Sequence, residues 1–252
     1  SFEMLIDMGD LASGWNTEAG PQAETSTATV QRVQIPVHEL SAMPKASQRL
    51  LDDVAFDVET WLAGRIAEKF ARAEATAFVS GDGVNKPKGF LTHPRAANAS
   101  ATNVQIGTIP SGATGDFAAT NPANALIDLV YALGAQFRAN ATFVMNSKTA
   151  AAVRKMRDTD GRFLWTDTLA MGQPPQLLGY PVLLCEDMPD IASGSASIAF
   201  GDFRSGYTIV ERPDLRVLRD PFSAKPHVLF YATKRVGGGV TDARAIKVMV
   251  FG

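Results

Sequence analysis

Ser47-Gln48-Arg49-Leu50-Leu51-Asp52-Asp53 opens a stretch that continues to Phe78 and ends in Ser80-Gly81-Asp82-Gly83-Val84-Asn85-Lys86-Pro87-Lys88-Gly89-Phe90. Within it Leu51, Val54, Val58, Leu62, Ile66 and Phe70 recur at intervals of three or four, followed by Ala73 and Ala77. That spacing makes one apolar stripe on a helix. Asp52, Asp53, Asp57, Glu59, Arg65, Glu68, Lys69, Arg72 and Glu74 mostly fall off the stripe and would face water or a partner. Ser47 reads as the N-cap, with Asp52 and Asp53 complementing the positive end of the helix dipole. About thirty residues at about 1.5 Å each make a rod of roughly 45 Å, against about a dozen residues for an average helix. Such a stripe would also suit a long helix lying across an ordinary core. Here it runs into a Gly/Pro-rich turn, with a lysine-free polar arm ahead and an α/β pattern behind. That arrangement suits a subunit that grips its neighbours.

Composition narrows the alternatives. The 252 residues are 46% hydrophobic, enough for one good core or two modest ones. Lys plus Arg number 24 against 26 Asp plus Glu, a formal net charge of −2. This lacks the basic surplus of a dedicated nucleic-acid binder, so any such contact is local or weak. The single cysteine, Cys185, excludes an internal disulfide framework and suits a reducing compartment. No apolar run approaches the ~20 residues of a membrane helix. The chain starts at Ser1 without a methionine or a signal peptide, which suits either a trimmed start or upstream cleavage.

Along the chain, residues 1–14 read as a short arm. Residues 15–38 read as an extended hairpin: Trp15 to Glu18 leads out and Thr29 to Val37 returns with strand alternation. The spine follows. Residues 92–121 are Ala/Thr/Asn/Gly-rich and read as loop, with one short strand near Val104 to Ile106. Asn121-Pro122 then opens a helix that turns Leu126, Leu129, Val130, Leu133 and Phe137 inward. Thr142 to Met145 is a buried strand, and Asn146 or Ser147 caps a helix from Lys148 to Arg157, the segment ending at Asp160-Gly161. Strands follow at Tyr180 to Cys185, Ala196 to Phe200, Tyr207 to Glu211, His227 to Arg235 and Ala245 to Phe251. Arg216 to Asp220 reads as a Pro-flanked turn and Gly237-Gly238-Gly239 as a flexible bend.

Catalytic signals are weak. His38, His93 and His227 are scattered without metal-ligand spacing. Gly81 to Lys86 has the look of a phosphate loop, but it follows a helix and lacks the Gly-Lys-Ser/Thr ending. Cys185 lies in an apolar strand as an inert thiol. The pair Glu186-Asp187 ends a strand and needs no catalytic explanation. No Gly-x-Ser-x-Gly elbow occurs. No cofactor or metal site is expected.

Four stretches, in order, resemble the major capsid proteins of tailed bacteriophages, the Hong Kong 97 fold. They are Ser47 to Asp53 with Gly81-Asp82-Gly83 and Pro87-Lys88-Gly89; Met145 to Lys148 with Arg157 to Leu164; Leu178 to Val182 with Asp187-Met188-Pro189; and Ile198 to Phe203 with Tyr207-Thr208-Ile209. The likeness covers nearly the whole chain and is nearest to capsid proteins of alphaproteobacterial phages and gene transfer agents. It implies an α+β fold with an N-terminal arm (1–14), an E-loop (15–38), a peripheral domain carrying the spine (39–91 and 213–240) and an axial domain (92–212 and 241–252). It further implies hexameric and pentameric capsomers in an icosahedral-type head around double-stranded DNA, assembled in the bacterial cytoplasm. Portal, scaffold or protease and other head proteins are the implied partners, without a membrane. The family's frequent removal of an N-terminal segment would fit a chain starting at Ser1.

Closed shells need heterologous contacts that recur by rotation, and an extended hairpin can add its edge to a neighbour's sheet. Trp15, Glu18, Glu24, Arg32, Arg65 and Arg72 are the candidate interface residues. Each ion pair among them would contribute at most about 1 kcal/mol, and any one of these charges could equally be a solvated rim charge. The basic groups Arg154, Lys155, Arg157 and Arg212, Arg216, Arg219 suit subunit contacts better than DNA, which the shell would confine without tight binding. An encapsulin-type compartment shell shares the implied fold, and a small α/β enzyme is the rival of a different class. An enzyme of this size runs as a small oligomer, whereas a shell protein forms megadalton particles.

Some family members weld subunits through an isopeptide bond between an E-loop lysine and a neighbour's asparagine, aided by a glutamate. Here the first lysine is Lys45, outside the hairpin, and Ala224-Lys225 and Thr233-Lys234 stand roughly where the asparagine and glutamate would be sought. The particle is therefore expected to be held non-covalently. Purified particles should collapse to a single monomer band on a denaturing gel, and a covalent ladder would refute this.

Overall fold

The computed structural model describes residues 1–7, 30–47, 57–157, 165 and 176–252. In chain order, β1 (Phe2–Asp7), β2 (Val30–Ile35), β3 (His38–Ala42) and β4 (Lys45–Ser47) precede the spine helix α1 (Val58–Ser80). Then come β5 (Arg95–Ala97), β6 (Ile106–Pro110), the small pair β7 (Gly112–Ala113) and β8 (Asp116–Phe117), α2 (Ala123–Ala132) and α3 (Ala135–Arg138). The remainder is β9 (Thr142–Met145), α4 (Ser147–Arg154), β10 (Gln176–Leu177), β11 (Tyr180–Leu184), β12 (Ser195–Gly201), α5 (Phe203–Gly206), β13 (Tyr207–Ala224), β14 (His227–Val240) and β15 (Ile246–Phe251).

The spine helix is shorter than its sequence pattern predicts. Its 23 residues span about 35 Å at about 1.5 Å each. Ser47 is not its cap: it lies in β4, opposite His227 of β14. Asp57 holds that role, its Oδ1 accepting from the Thr60 amide at 3.2 Å. Leu51, Val54, Asp52 and Asp53 lie outside the described residues. The stripe itself holds at Val58, Ile66, Phe70 and Ala77, which are buried. Ala73, by contrast, is exposed.

Ile66 and Phe70 pack on Ala232 of β14, and Leu62 packs partly against the same cluster. Strand β14 pairs antiparallel with β13 on one side, and with β3 and β4 on the other. Strand β13 continues through the stretch read as a turn at Arg216 to Asp220. Pro213 and Pro221 are tolerated because each falls where the β13–β14 register is interrupted, between Arg212 and Arg216 and between Asp220 and Ala224. Nor are the three glycines of β14 a bend. They pair with Val210, Ile209 and Thr208, and a Cβ on Gly237 would sit 2.4 Å from the Pro36 carbonyl oxygen. Glycine is required there by the close approach of a neighbouring backbone.

The second sheet has seven strands in the order β10-β11-β9-β12-β15-β6-β5. It is mixed: β11 and β9 run parallel, as do β15, β6 and β5, while β12 is antiparallel to both its neighbours. Residues 92–121 thus supply strands β5 to β8 where loop and one short strand were expected. Both faces of the sheet are covered. Phe143, Met145, Ile198, Phe200, Met249 and Phe251 meet Leu126, Leu129 and Val130 of α2 and Ala150 and Val153 of α4. On the other face, Val144, Ala199, Ile246 and Val248 meet Val79 from the end of α1 and Phe90. Double burial explains why these strands read as nearly continuous apolar runs. Asn146, not Ser147, caps α4, accepting from the Thr149 amide at 2.7 Å.

The turn from Gly81 to Gly89 joins α1 to both sheets. Gly81 donates to the Ala77 carbonyl and accepts from the Gly89 amide, each at 2.9 Å, and the Lys88 amide donates to the Gly238 carbonyl at 3.1 Å. A Cβ on Gly81 would lie 2.1 Å from the Pro87 carbonyl oxygen, so the turn closes only on glycine. Gly81→Ala is expected to destabilise the folded subunit by about 3 kcal/mol, measured by denaturant unfolding below the assembly concentration. A loss under 0.5 kcal/mol would show that the turn can open without consequence.

Candidate assembly interface

The outward face of α1 carries Trp61, Arg65, Glu68 and Arg72 at helical spacing, so one row of side chains points away from the core. Arg65 stacks over the Trp61 ring, 5.9 Å from its centroid, and reaches Glu68 Oε2 at 3.1 Å. Glu68 also pairs with Arg72. The structure thus brings Arg65 and Arg72 together around one carboxylate. These exposed pairs contribute little to stability; they present an aromatic and charged row on the outer face of the helix.

Arg32 lies on β2, opposite Leu5 of β1. Within the chain its Nη1 stands 3.3 Å from Glu3 Oε2. The returning strand of the expected hairpin therefore pairs with the N-terminal arm itself, from Phe2↔Ile35 to Asp7↔Val30. Trp15, Glu18 and Glu24 lie outside the described residues. The β1–β2 ribbon sits beside a cavity of about 410 Å³ lined by Ser1, Phe2, Val37, Glu39, Arg212 and Arg235 among others. On its wall Arg235 of β14 pairs with its cross-strand neighbour Glu39 of β3 at 3.3 Å.

The inward face of α1 holds one ion-paired group that periodicity placed outside. Glu74 turns toward the peripheral sheet, with its Oε1 and Oε2 at 2.8 and 3.0 Å from Lys234 Nζ of β14. Glu211 of β13 approaches the same ammonium at 3.0 Å. Three elements are thereby joined through one cation. Burial works against the charge, but the hydrogen bonds that Lys234 donates to Glu74 and Glu211 outweigh it and hold the ammonium above its ordinary value of 10.5.

Sequence reading missed Phe222, the most exposed large apolar side chain among the described residues. Phe222 is 78% exposed and Leu218 62%; Leu218 lies in the part of β13 taken for a turn, and Phe222 just beyond it, next to Pro221. Seeing them required the β13–β14 register, since alternation is interrupted at both prolines. Among the basic groups, Arg154 lies over the Trp165 ring at 5.4 Å, and Arg212 faces Arg235 across the ladder.

Among the described residues, the polar groups singled out in the sequence are engaged within the chain. Asp82 Oδ1 accepts the Val84 amide at 3.0 Å, so a carboxylate occupies the turn where an anion-binding loop would leave space. His93 Nε2 lies 2.9 Å from the Val104 carbonyl oxygen. Glu186 bonds Ser147, and Asp187 accepts from Thr76 Oγ1 at 2.6 Å. Among the described residues no group of three His, Cys, Asp or Glu could hold a metal ion, and no described helix is long and apolar enough to cross a membrane.

The family model for the phage capsid family matches residues 1–251. The chain belongs to the phage capsid family. This is a family of structural shell proteins, not of enzymes. Two solved structures similar to it are the capsid of an empty GTA particle and that of a native GTA particle, each computed with C5 symmetry. They are 64% and 66% identical, with TM-scores of 0.94 and 0.93, over 100% of this chain and 84% of theirs. Microbacterium phage Oxtober96 shares the fold at 17% identity and a TM-score of 0.67, over 98% of this chain and 85% of its own. No curated protein sequence matches. On this capsid subunit Trp61 of the α1 row and Leu218 and Phe222 of the β13–β14 hairpin are exposed.

Lys234→Met is expected to destabilise the capsid subunit by about 1–3 kcal/mol at pH 7, because it leaves Glu74 without its cation. A raised lysine pKa means that the stabilisation is complete below 10.5 and is lost as pH rises through the folded-state value. The gap between parent and variant should therefore persist to pH 10 and close above it. Denaturant unfolding across pH checks this, and a gap that closes near neutrality would refute it.

Proposed function

We propose that this chain is the major capsid protein of a gene transfer agent or related phage-type particle. Its copies form hexameric and pentameric capsomers in an icosahedral-type head around double-stranded DNA. The observation that carries this reading is the 64–66% identity to GTA capsids along the whole chain. On this reading the β1–β2 ribbon is the base of an E-loop spanning residues 15–38, following an arm at 1–14. Residues 39–91 and 213–240 form the peripheral domain of a Hong Kong 97 fold, and 92–212 with 241–252 its axial domain. Subunits associate through apolar burial and non-covalent pairing. The near-neutral charge supports confinement of DNA without tight or sequence-specific contact. Assembly in the bacterial cytoplasm with portal, scaffold or protease partners completes the proposal.

An encapsulin from Synechococcus elongatus PCC 7942 also shares the fold, at 14% identity and a TM-score of 0.61 over 90% of this chain. That likeness extends to the fold alone, so the DNA-enclosing shell is favoured. Negative-stain electron microscopy of the native material, with nuclease-protected DNA assayed in parallel, is the test. Closed shells protecting double-stranded DNA are expected. A uniform monomer or dimer would overturn the shell, and shells filled with a protein cargo and free of DNA would favour the compartment.

A further inference from the structure

The two-residue turn between β10 and β11 is built from Leu178 at φ 51° and Gly179 at φ 84°, with Leu177 opposite Tyr180. Positive φ at both central positions is the type I′ hairpin turn, whose preferred sequence is Asn-Gly or Asp-Gly. Glycine meets the second requirement. Leucine at the first is unfavourable, because its Cβ crowds the backbone in the left-handed region. A leucine tolerated there normally gains by filling a core, yet Leu178 is 46% exposed and joins none of the buried clusters. The strain has no return inside the subunit.

Leu178 is not isolated. It lines a cleft of about 360 Å³ with Ile127, Val130, Tyr131, Arg138 and Tyr180. Ile127 and Tyr131, one turn apart on α2, are exposed, Tyr131 to 69%. The Arg138 guanidinium lies 5.0 Å from the Tyr131 ring centroid and donates to the Leu133 and Tyr131 carbonyl oxygens at 2.8 and 3.3 Å. The rim is thus pinned in place before any partner arrives.

We propose that this cleft is a contact surface for a second copy of this chain in the capsomer, with Leu178 as its apolar anchor. The inference rests on the shell reading above. Its chemistry selects protein over other occupants. A phosphate backbone would find one arginine, already engaged with two carbonyls, and no other cation in the lining. A small polar ligand would find no unpartnered buried side-chain group, since those among the described residues belong to His38, Thr149 and Trp165, none of which lines the cleft. Apolar walls with an ordered tyrosine and arginine are the composition of protein–protein anchors. A copy of the chain is the partner a rotationally repeated shell supplies, through two different surfaces of each subunit. The GTA capsids at 64% and 66% identity were computed with such a symmetry, C5.

Leu178→Asn in the full chain separates the two roles of this residue, because asparagine suits the turn better. The expected result is a thermal midpoint of the unassembled subunit equal to or above the parent's. The concentration at which light scattering detects self-association should rise at least tenfold. Tyr131→Ser, across the cleft, should raise that concentration in the same direction. Equal thresholds for parent and Leu178→Asn, or a lowered midpoint, would overturn the anchor role while parent shells in the microscope leave the shell reading standing. If the parent forms only small oligomers and Leu178→Asn dissolves them, the shell reading falls and this contact survives. A parent that is monomeric at every concentration overturns both.

Discussion

The packing of one helix on one strand is the constraint on which the rest of this subunit depends. Ile66 and Phe70 of α1 rest on Ala232, a residue small enough to let the helix approach the sheet. Strand β14, which carries Ala232, is also the strand that β3, β4 and β13 pair with. Lys234, two residues further on, ties Glu74 of the helix to Glu211 of β13. A shift of the helix would therefore break an apolar contact and a charge-assisted one together. Closely packed interiors do not deform gradually, so the spine behaves as a fixed beam.

The far end of that beam fixes the second half of the molecule. Val79 enters the core on one face of the seven-stranded sheet, and the glycine-closed turn after it bonds back to Gly238 of β14. The Tyr207 hydroxyl donates to the Lys88 carbonyl at 2.9 Å, drawing the start of β13 to the same turn. One short segment thus sets the relation between the two sheets. The sheet that carries the Phe222 hairpin and the sheet that carries the Leu178 turn are both tied to that segment.

The chemistry of the subunit follows from the same economy. The charges on the outer face of α1 are satisfied by one another, around Glu68, and the strand-end carboxylates Glu186 and Asp187 bond local hydroxyls. The α1 charges remain largely hydrated, so their pairing adds little to the stability of the subunit.

Much was legible in the chain by itself, and the reason is local. The stripe at Val58, Ile66 and Phe70, the buried strands at Thr142 to Met145 and Ala196 to Phe200, and the helix after Pro122 each follow from spacing that a few neighbouring residues dictate. The family could be read from four motifs in order, and the chain's membership of it is established. What depended on distant residues was misread. Ser47 caps nothing because His227 recruits it into a strand. Glu74 leaves the wet face because Lys234 waits 160 residues away. Arg216 to Asp220 stays extended because β14 supplies a ladder, interrupted where the prolines need it. Gly237 to Gly239 form strand because the Pro36 backbone leaves no room for a side chain. Of the candidate interface, the sequence placed Arg65 and Arg72 on one outward row, but the exposed Leu178, Leu218 and Phe222 appear only in three dimensions. Periodicity reports which side of an element is apolar; whether a partner covers that side is decided by the rest of the fold.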